Sequence, residues 1–141
     1  MPSPQEILQQ NKAVVLRFNR EVIEQGDERA FRELMDPSFV NRTAAPGMSP
    51  GPDGMLFTFE RVLRPAFPDL HVEIHDQIAE GDKVVTRKTL HGTHRGDFFG
   101  IPATNRAVAI EVTDIVRVQN GRYVEHWGSN NLPSVVNDLK K

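Results

Sequence analysis

The hydrophobic positions of this chain change their period once. Before Pro68 they recur at three- and four-residue intervals, and after it they alternate with polar residues. Ser3-Pro4-Gln5-Glu6 opens a first helix, with a serine suited to the N-cap, a proline at the first helical position and a glutamate placed to close a capping box. Ile7, Leu8, Val14, Val15, Phe18 and Val22 then share one face. Gly26 is placed to end this helix in a left-handed conformation, and Asp27 to cap a second helix carrying Phe31, Leu34 and Met35. Pro37 stops the second helix, and Ser38 to Arg42 reads as a short extended piece. Residues 43 to 54 are rich in glycine and proline around Met48 and form a loop. A third helix runs from near Asp53 to Leu63, with Met55, Leu56, Phe59, Val62 and Leu63 on or near one face, and Pro65 and Pro68 end it.

Four segments of period two follow. Val72, Ile74 and Ile78 alternate with His71, Glu73, His75 and Gln77. A Glu80-Gly81-Asp82 turn leads to a strand from Lys83 to His94, and the longest strand runs from Ala107 to Val118. Gln119-Asn120-Gly121 then turns the chain into Arg122 to Gly128, and a short tail from Leu132 to Leu139 is open to a helix. Helices first and an antiparallel meander afterwards is the α+β pattern, spread over residues 1–141 as one domain.

Composition narrows the function classes. A chain of 141 residues with 38% apolar and 26% charged residues suits one globular domain. Its formal charge is -2 and its basic residues are scattered, so no basic stripe exists for nucleic acid or an anionic membrane. The absence of cysteine excludes disulfides, thiol catalysis and thiolate metal sites. Neither a signal peptide nor an apolar run of about 18 residues is present, so a soluble cytoplasmic protein is expected. The five histidines lack the spacing of a paired-ligand helix motif, and neither a metal nor a cofactor is expected.

The longest strand carries the chemistry. Val108, Ile110, Val112, Val116 and Val118 share a face with Asp114, while Ala107, Ala109, Glu111, Thr113, Ile115 and Arg117 occupy the other. A lone carboxylate on an inward apolar face loses solvation, and burial tunes such a group for proton transfer near neutral pH. What lies opposite depends on the hairpin register. A three-residue turn pairs Val118 with Arg122 and sets Asp114 against His126; a two-residue Asn120-Gly121 turn sets it against Trp127. In the first register Asp114 and His126 form either an acid/base dyad or a buried polar pair that only satisfies itself. Tyr123, Glu125 and Trp127 then point away to the outer face. Arg87, with Val85 and Thr89 on its face, either reaches a carboxylate or carbonyl oxygen of a ligand or pairs with Glu73 or Asp76. Phe18, Phe57, Phe59, Phe98 and Phe99 are candidates for core or pocket wall.

Several stretches together resemble one known family. Gly92-Thr93-His94-Arg95-Gly96 followed by Gly100-Ile101-Pro102-Ala103-Thr104-Asn105 is similar to a loop of SnoaL-like proteins, members of the nuclear-transport-factor-2-like superfamily. Asp114 to Arg117, Asn120-Gly121 and Val124-Glu125-His126-Trp127 resemble their closing strand–turn–strand, and Asp36-Pro37-Ser38-Phe39-Val40-Asn41 matches in order and spacing. The resemblance implies a cone-shaped curved sheet closed by N-terminal helices around a pocket for a small hydrophobic molecule, and a homodimer formed through the sheets. It also implies ester-cyclase chemistry, an intramolecular aldol reaction without metal or cofactor. Asn41 occupies a family position near the pocket and is a candidate ligand contact. His94 lies in the loop motif, as a loop-fixing hydrogen-bond donor or a ligand contact. Two positions depart from the cyclases. Their acid/base aspartate aligns with Gly128, and their histidine aligns with Asp114. The resulting expectation is a cofactor-independent enzyme acting on an apolar carbonyl compound or ester, with a non-catalytic ligand-binding or dimerisation domain as its rival.

Overall fold

A computed structural model describes residues 1–141. Helix α1 (Pro4–Arg17) begins at the Ser3 cap, whose Oγ accepts the Glu6 N–H at 3.1 Å. It passes directly into a π-helical segment (Phe18–Glu24). Gly26 turns the chain at φ +70°, and Asp27 caps α2 (Glu28–Leu34) through bonds from the Arg29 and Ala30 N–H groups. Strand β1 (Met35–Asn41), helix α3 (Pro52–Phe57) and a second π-helical segment (Thr58–Leu63) follow. Helix α4 (Arg64–Ala66) carries this helical stretch past Pro65, so Pro65 does not end it and the helix stops only at Ala66. The meander consists of β2 (His71–Glu80), β3 (Lys83–Thr93), β4 (Ala107–Gln119) and β5 (Arg122–Asn130), and α5 (Leu132–Leu139) ends the chain. No helix is long and apolar enough to cross a membrane.

The strands lie in the order β1-β5-β4-β3-β2, a curved and unclosed sheet with an edge at each end. The meander pairs are antiparallel as the alternation predicts, but β1 joins β5 in parallel. The extended piece thus begins at Met35 rather than Ser38 and contains Pro37. An edge strand tolerates proline, and here it sits where the register shifts between Met35 and Val40.

Neither anticipated hairpin register occurs. Gln119 pairs with Arg122 across a two-residue turn in which Asn120 (φ 52°) and Gly121 (φ 75°) both have the positive φ of a type I′ turn. A bulge at Val124, between the pairs Val118–Tyr123 and Arg117–Glu125, then adds one residue to β5. Beyond the bulge Val116 faces His126 and Asp114 faces Gly128. His126 and Gly128 still point inward, slipped by two residues from the three-residue-turn register, so the faces of the strand are preserved.

The bulge overturns the outward placement of Tyr123. Lying before the parity change, it faces inward, 3% exposed, and stacks on Phe18 with centroids 4.2 Å apart. Phe18 also meets Phe31 and Phe59 at 6.4 and 5.9 Å, which centres the core on the junction between α1 and the first π segment. Phe59 and Phe98 are buried as well, whereas Phe57 and Phe99 are exposed and belong to neither core nor pocket wall. Trp127 and Glu125 do lie on the outer face, opposite Ile115 and Arg117.

Phe18→Ala removes a side chain that is 2% exposed and should cost about 3–5 kcal/mol in chemical denaturation. Ser3→Ala removes only the cap and should cost about 1 kcal/mol. Equal, small losses would contradict this placement of the core.

Candidate functional site

The concave face of the sheet, the two π segments and residues 41–49 enclose a cavity of about 260 Å³. Phe18, Met55, Phe59 and Leu90 supply apolar wall, and Asn41, Lys88, Asp114, Tyr123 and His126 converge at the polar side. Both π segments contribute, through Phe18 and Phe59, in keeping with the frequent placement of π turns at functional sites.

Asp114 is 6% exposed, and Lys88 is its nearest counter-charge, with Nζ 3.1 Å from Oδ2. Lys88 reaches the cavity because it shares the inward face of β3 with Val84, Thr86 and Leu90, all buried. Its ammonium also donates to Asn19 Oδ1 at 2.6 Å, and Asn19 in turn donates to the Val15 carbonyl at 2.8 Å. His126 approaches from the next strand, its Nε2 3.8 Å from Asp114 Oδ2 and its Nδ1 2.9 Å from Asn41 Oδ1. Parallel pairing puts Asn41 directly beside His126, and the Arg42 N–H bonds the His126 carbonyl at 2.8 Å.

The charges follow from these distances. Burial pushes the Asp114 carboxyl up, but the Lys88 ammonium, with help from His126, outweighs it and holds the carboxyl below the usual aspartate range. Burial, reinforced by the negative charge of Asp114, pushes the Tyr123 phenol well above its ordinary value. The cavity therefore holds an aspartate anion, a lysine counter-ion, a neutral phenol and an imidazole.

The remaining candidates lie elsewhere. Arg87 pairs with Thr113 on the outer face and its Nη2 meets Asp76 Oδ2 at 2.6 Å, so it does not line the cavity. His94 is fully buried between strand and loop. Its Nδ1 lies 2.9 Å from Thr104 Oγ1 and accepts the Thr104 N–H, which fixes the loop, and it too is absent from the cavity wall. No three histidine, aspartate or glutamate side chains are grouped to hold a metal ion. Lys88 and Tyr123 are the site residues that sequence reasoning missed. For Lys88 a signal existed, since it keeps step with Val84 and Leu90. Tyr123 depends on a bulge that no turn motif announces.

Gly128 acquires a role from the geometry. A Cβ built there would lie 2.9 Å from Cε1 of His126. The space beside Gly128 is thus where the imidazole ring lies, and across the ladder stands Asp114.

The fold is thus a curved α+β sheet capped by N-terminal helices, with a buried polar cluster at one side of its cavity. Residues 13–139 match the model of the SnoaL-like polyketide cyclase family, and the chain belongs to that family. Solved structures agree. TsrD from Streptomyces laurentii is 26% identical, with 93% of this chain and 95% of that one covered at a TM-score of 0.81. IdmH from Streptomyces antibioticus, described as a candidate polyketide cyclase, is 29% identical over 94% of this chain and 99% of its own, also at 0.81. A candidate SnoaL-like polyketide cyclase from Jannaschia Sp. CCS1 is 27% identical over 99% and 96%, at 0.80. Among proteins of curated function none matches the chain.

Removing one member of the buried pair should be costly. Lys88→Met leaves the Asp114 carboxylate without its main counter-charge, with an expected loss of about 3–5 kcal/mol in chemical denaturation at neutral pH. The same pair sets an acid dependence. Because the folded carboxyl is depressed, its contribution is present above the unfolded value of about 3.9 and is lost as pH falls through the lower folded value. Glu33, Asp36, Asp53, Asp69 and Glu73 are depressed as well, so the difference between wild type and Asp114→Asn isolates this group. Wild-type stability should fall more steeply than that of the variant below about pH 4. Parallel curves would rule out a stabilising carboxylate at this position.

Proposed function

We propose that the chain is a cofactor-independent enzyme of cyclase or isomerase type that acts on an apolar carbonyl compound or ester through Asp114 and His126. The observation that carries this reading is the buried Asp114 carboxylate 3.8 Å from His126 Nε2 at the polar side of an apolar cavity. His126 takes a proton from the carbon next to a carbonyl, and the electron pair of that C–H bond passes to the carbonyl oxygen as an enolate. The Asp114 anion stabilises the imidazolium so formed. Lys88 N–H and Tyr123 O–H are the donors available to the enolate oxygen. In a cyclase the enolate carbon bonds to a second carbonyl carbon of the same molecule, and the imidazolium returns its proton to the new alkoxide. In an isomerase the proton returns to a different carbon. Neither course needs an oxidant, a reductant or a metal.

Gly128 favours a second reading. The resemblance to the cyclases implies an acid/base aspartate at this position, and a glycine there cannot transfer a proton. A pocket that binds a hydrophobic ligand without turning it over would need Asp114 and Lys88 only as a self-satisfied pair.

Exchange of α-hydrogen for deuterium in a cyclic β-keto ester, followed by NMR in D2O, separates the two readings. Wild type should catalyse exchange, and His126→Ala should slow it about 10²–10⁴-fold. A probe that binds without accelerated exchange establishes the binding reading. A homodimer is proposed alongside, supported by Ile115 and Trp127 on the outer face and by Ile78, which is 66% exposed there. Light scattering should then give about twice the 15.9 kDa chain mass, and a monomer mass would refute it.

A further inference from the structure

We infer that Asn41 is a positioning residue which holds neutral His126 in the tautomer protonated at Nδ1, so that Nε2, the nitrogen beside Asp114, carries the basic lone pair. The inference rests on the polarity of a hydrogen-bond chain in which the directions of both ends are chemically fixed. One end is the Thr43 backbone N–H, which lies 3.2 Å from Asn41 Oδ1. An amide N–H only donates, so the Asn41 atom facing it is the carbonyl oxygen and not the amide nitrogen. The other end is the Gly128 backbone N–H, which donates to Thr43 Oγ1 at 2.8 Å. The Thr43 hydroxyl accepts that bond and keeps its own hydrogen for Asn41 Oδ1, 3.3 Å away. Asn41 Oδ1 is therefore an acceptor on every side. His126 Nδ1, 2.9 Å from the same oxygen, has to bring a proton to the contact.

The opposite nitrogen makes no competing bond of comparable quality. Nε2 is 3.8 Å from Asp114 Oδ2, outside hydrogen-bond range, and that oxygen is already held by Lys88 Nζ at 3.1 Å. In a neutral ring the two acceptors, Asn41 Oδ1 and Asp114 Oδ2, compete for one N–H, and distance decides for Asn41. A lone pair on Nε2 facing an anion is poorly placed until it takes a proton. Asn41 thus sets which nitrogen carries the proton of the neutral ring, and the other nitrogen is the one that lies beside Asp114. Parallel pairing of Asn41 with His126 and the absent Cβ of Gly128 keep the ring in place.

The test uses the full chain labelled with 15N. Two-bond nitrogen–proton correlations of neutral His126 should show the pyrrole-type nitrogen at δ1 and the pyridine-type nitrogen at ε2. Asn41→Ala should transfer the proton to Nε2, whereas Asn41→Asp, which keeps an acceptor at the same position, should retain the wild-type pattern. Wild-type protein with its proton on Nε2 overturns the inference without any variant having to fold. An unchanged pattern in folded Asn41→Ala overturns it too. The activity arm rests on the acid/base reading above. In the deuterium-exchange assay Asn41→Ala should lower kcat about tenfold or more with little change in KM, and Asn41→Asp should restore much of the loss. Equal exchange by Asn41→Ala and wild type overturns the positioning role. If no protein catalyses exchange while the tautomer is as inferred, the acid/base reading fails and the assignment of Asn41 stands.

Discussion

A carboxylate taken out of water on an apolar strand has to be compensated where it lies, and the arrangement of this cavity follows from how Asp114 is compensated. Desolvating such an ion costs several kcal/mol, more than any single neutral hydrogen bond returns. Lys88 supplies the opposing charge from β3, and Asn19 supplies the ammonium with a further acceptor from the first π segment. Together the three residues join two strands and a helical segment through one nitrogen and two oxygens. They also leave a fixed negative charge beside the one imidazole of the cavity. The acid/base reading of His126 rests on that proximity.

The β4–β5 hairpin determines what stands near that charge. The type I′ turn at Asn120-Gly121 alone would put Trp127 opposite Asp114 and turn His126 outward. One bulged residue, Val124, reverses the parity of the rest of β5. The same residue therefore leaves Tyr123 facing the core on one side of the bulge and brings His126 and Gly128 to the cavity on the other. Glycine at position 128 leaves room for this arrangement, because the His126 ring lies where a side chain at residue 128 would begin.

Much of this was legible in the residues themselves. Local rules determined the helix starts at Ser3 and Asp27, the left-handed stop at Gly26, the inward face of β4 and the α+β order, because caps, φ angles and alternation depend on near neighbours in the chain. Asp114 was identifiable as the polar member of an apolar face for the same reason. Lys88 was legible by parity alone, although only the fold put it 3.1 Å from that carboxylate.

Other features were decided by tertiary structure. The bulge at Val124 shifts the register of β5 on β4, and the turn motif before it gives no local signal of that shift. The parallel contact of β1 with β5 brings together Asn41 and His126, 85 positions apart, and only closure of that edge makes their hydrogen bond possible. Sequence by itself determined which residue types the strands carry and which faces most of them share. Their distances, hydrogen-bond polarities and compensating charges arose only when separate strands were packed together, because those interactions act across space between segments whose separation along the chain contains no record of them.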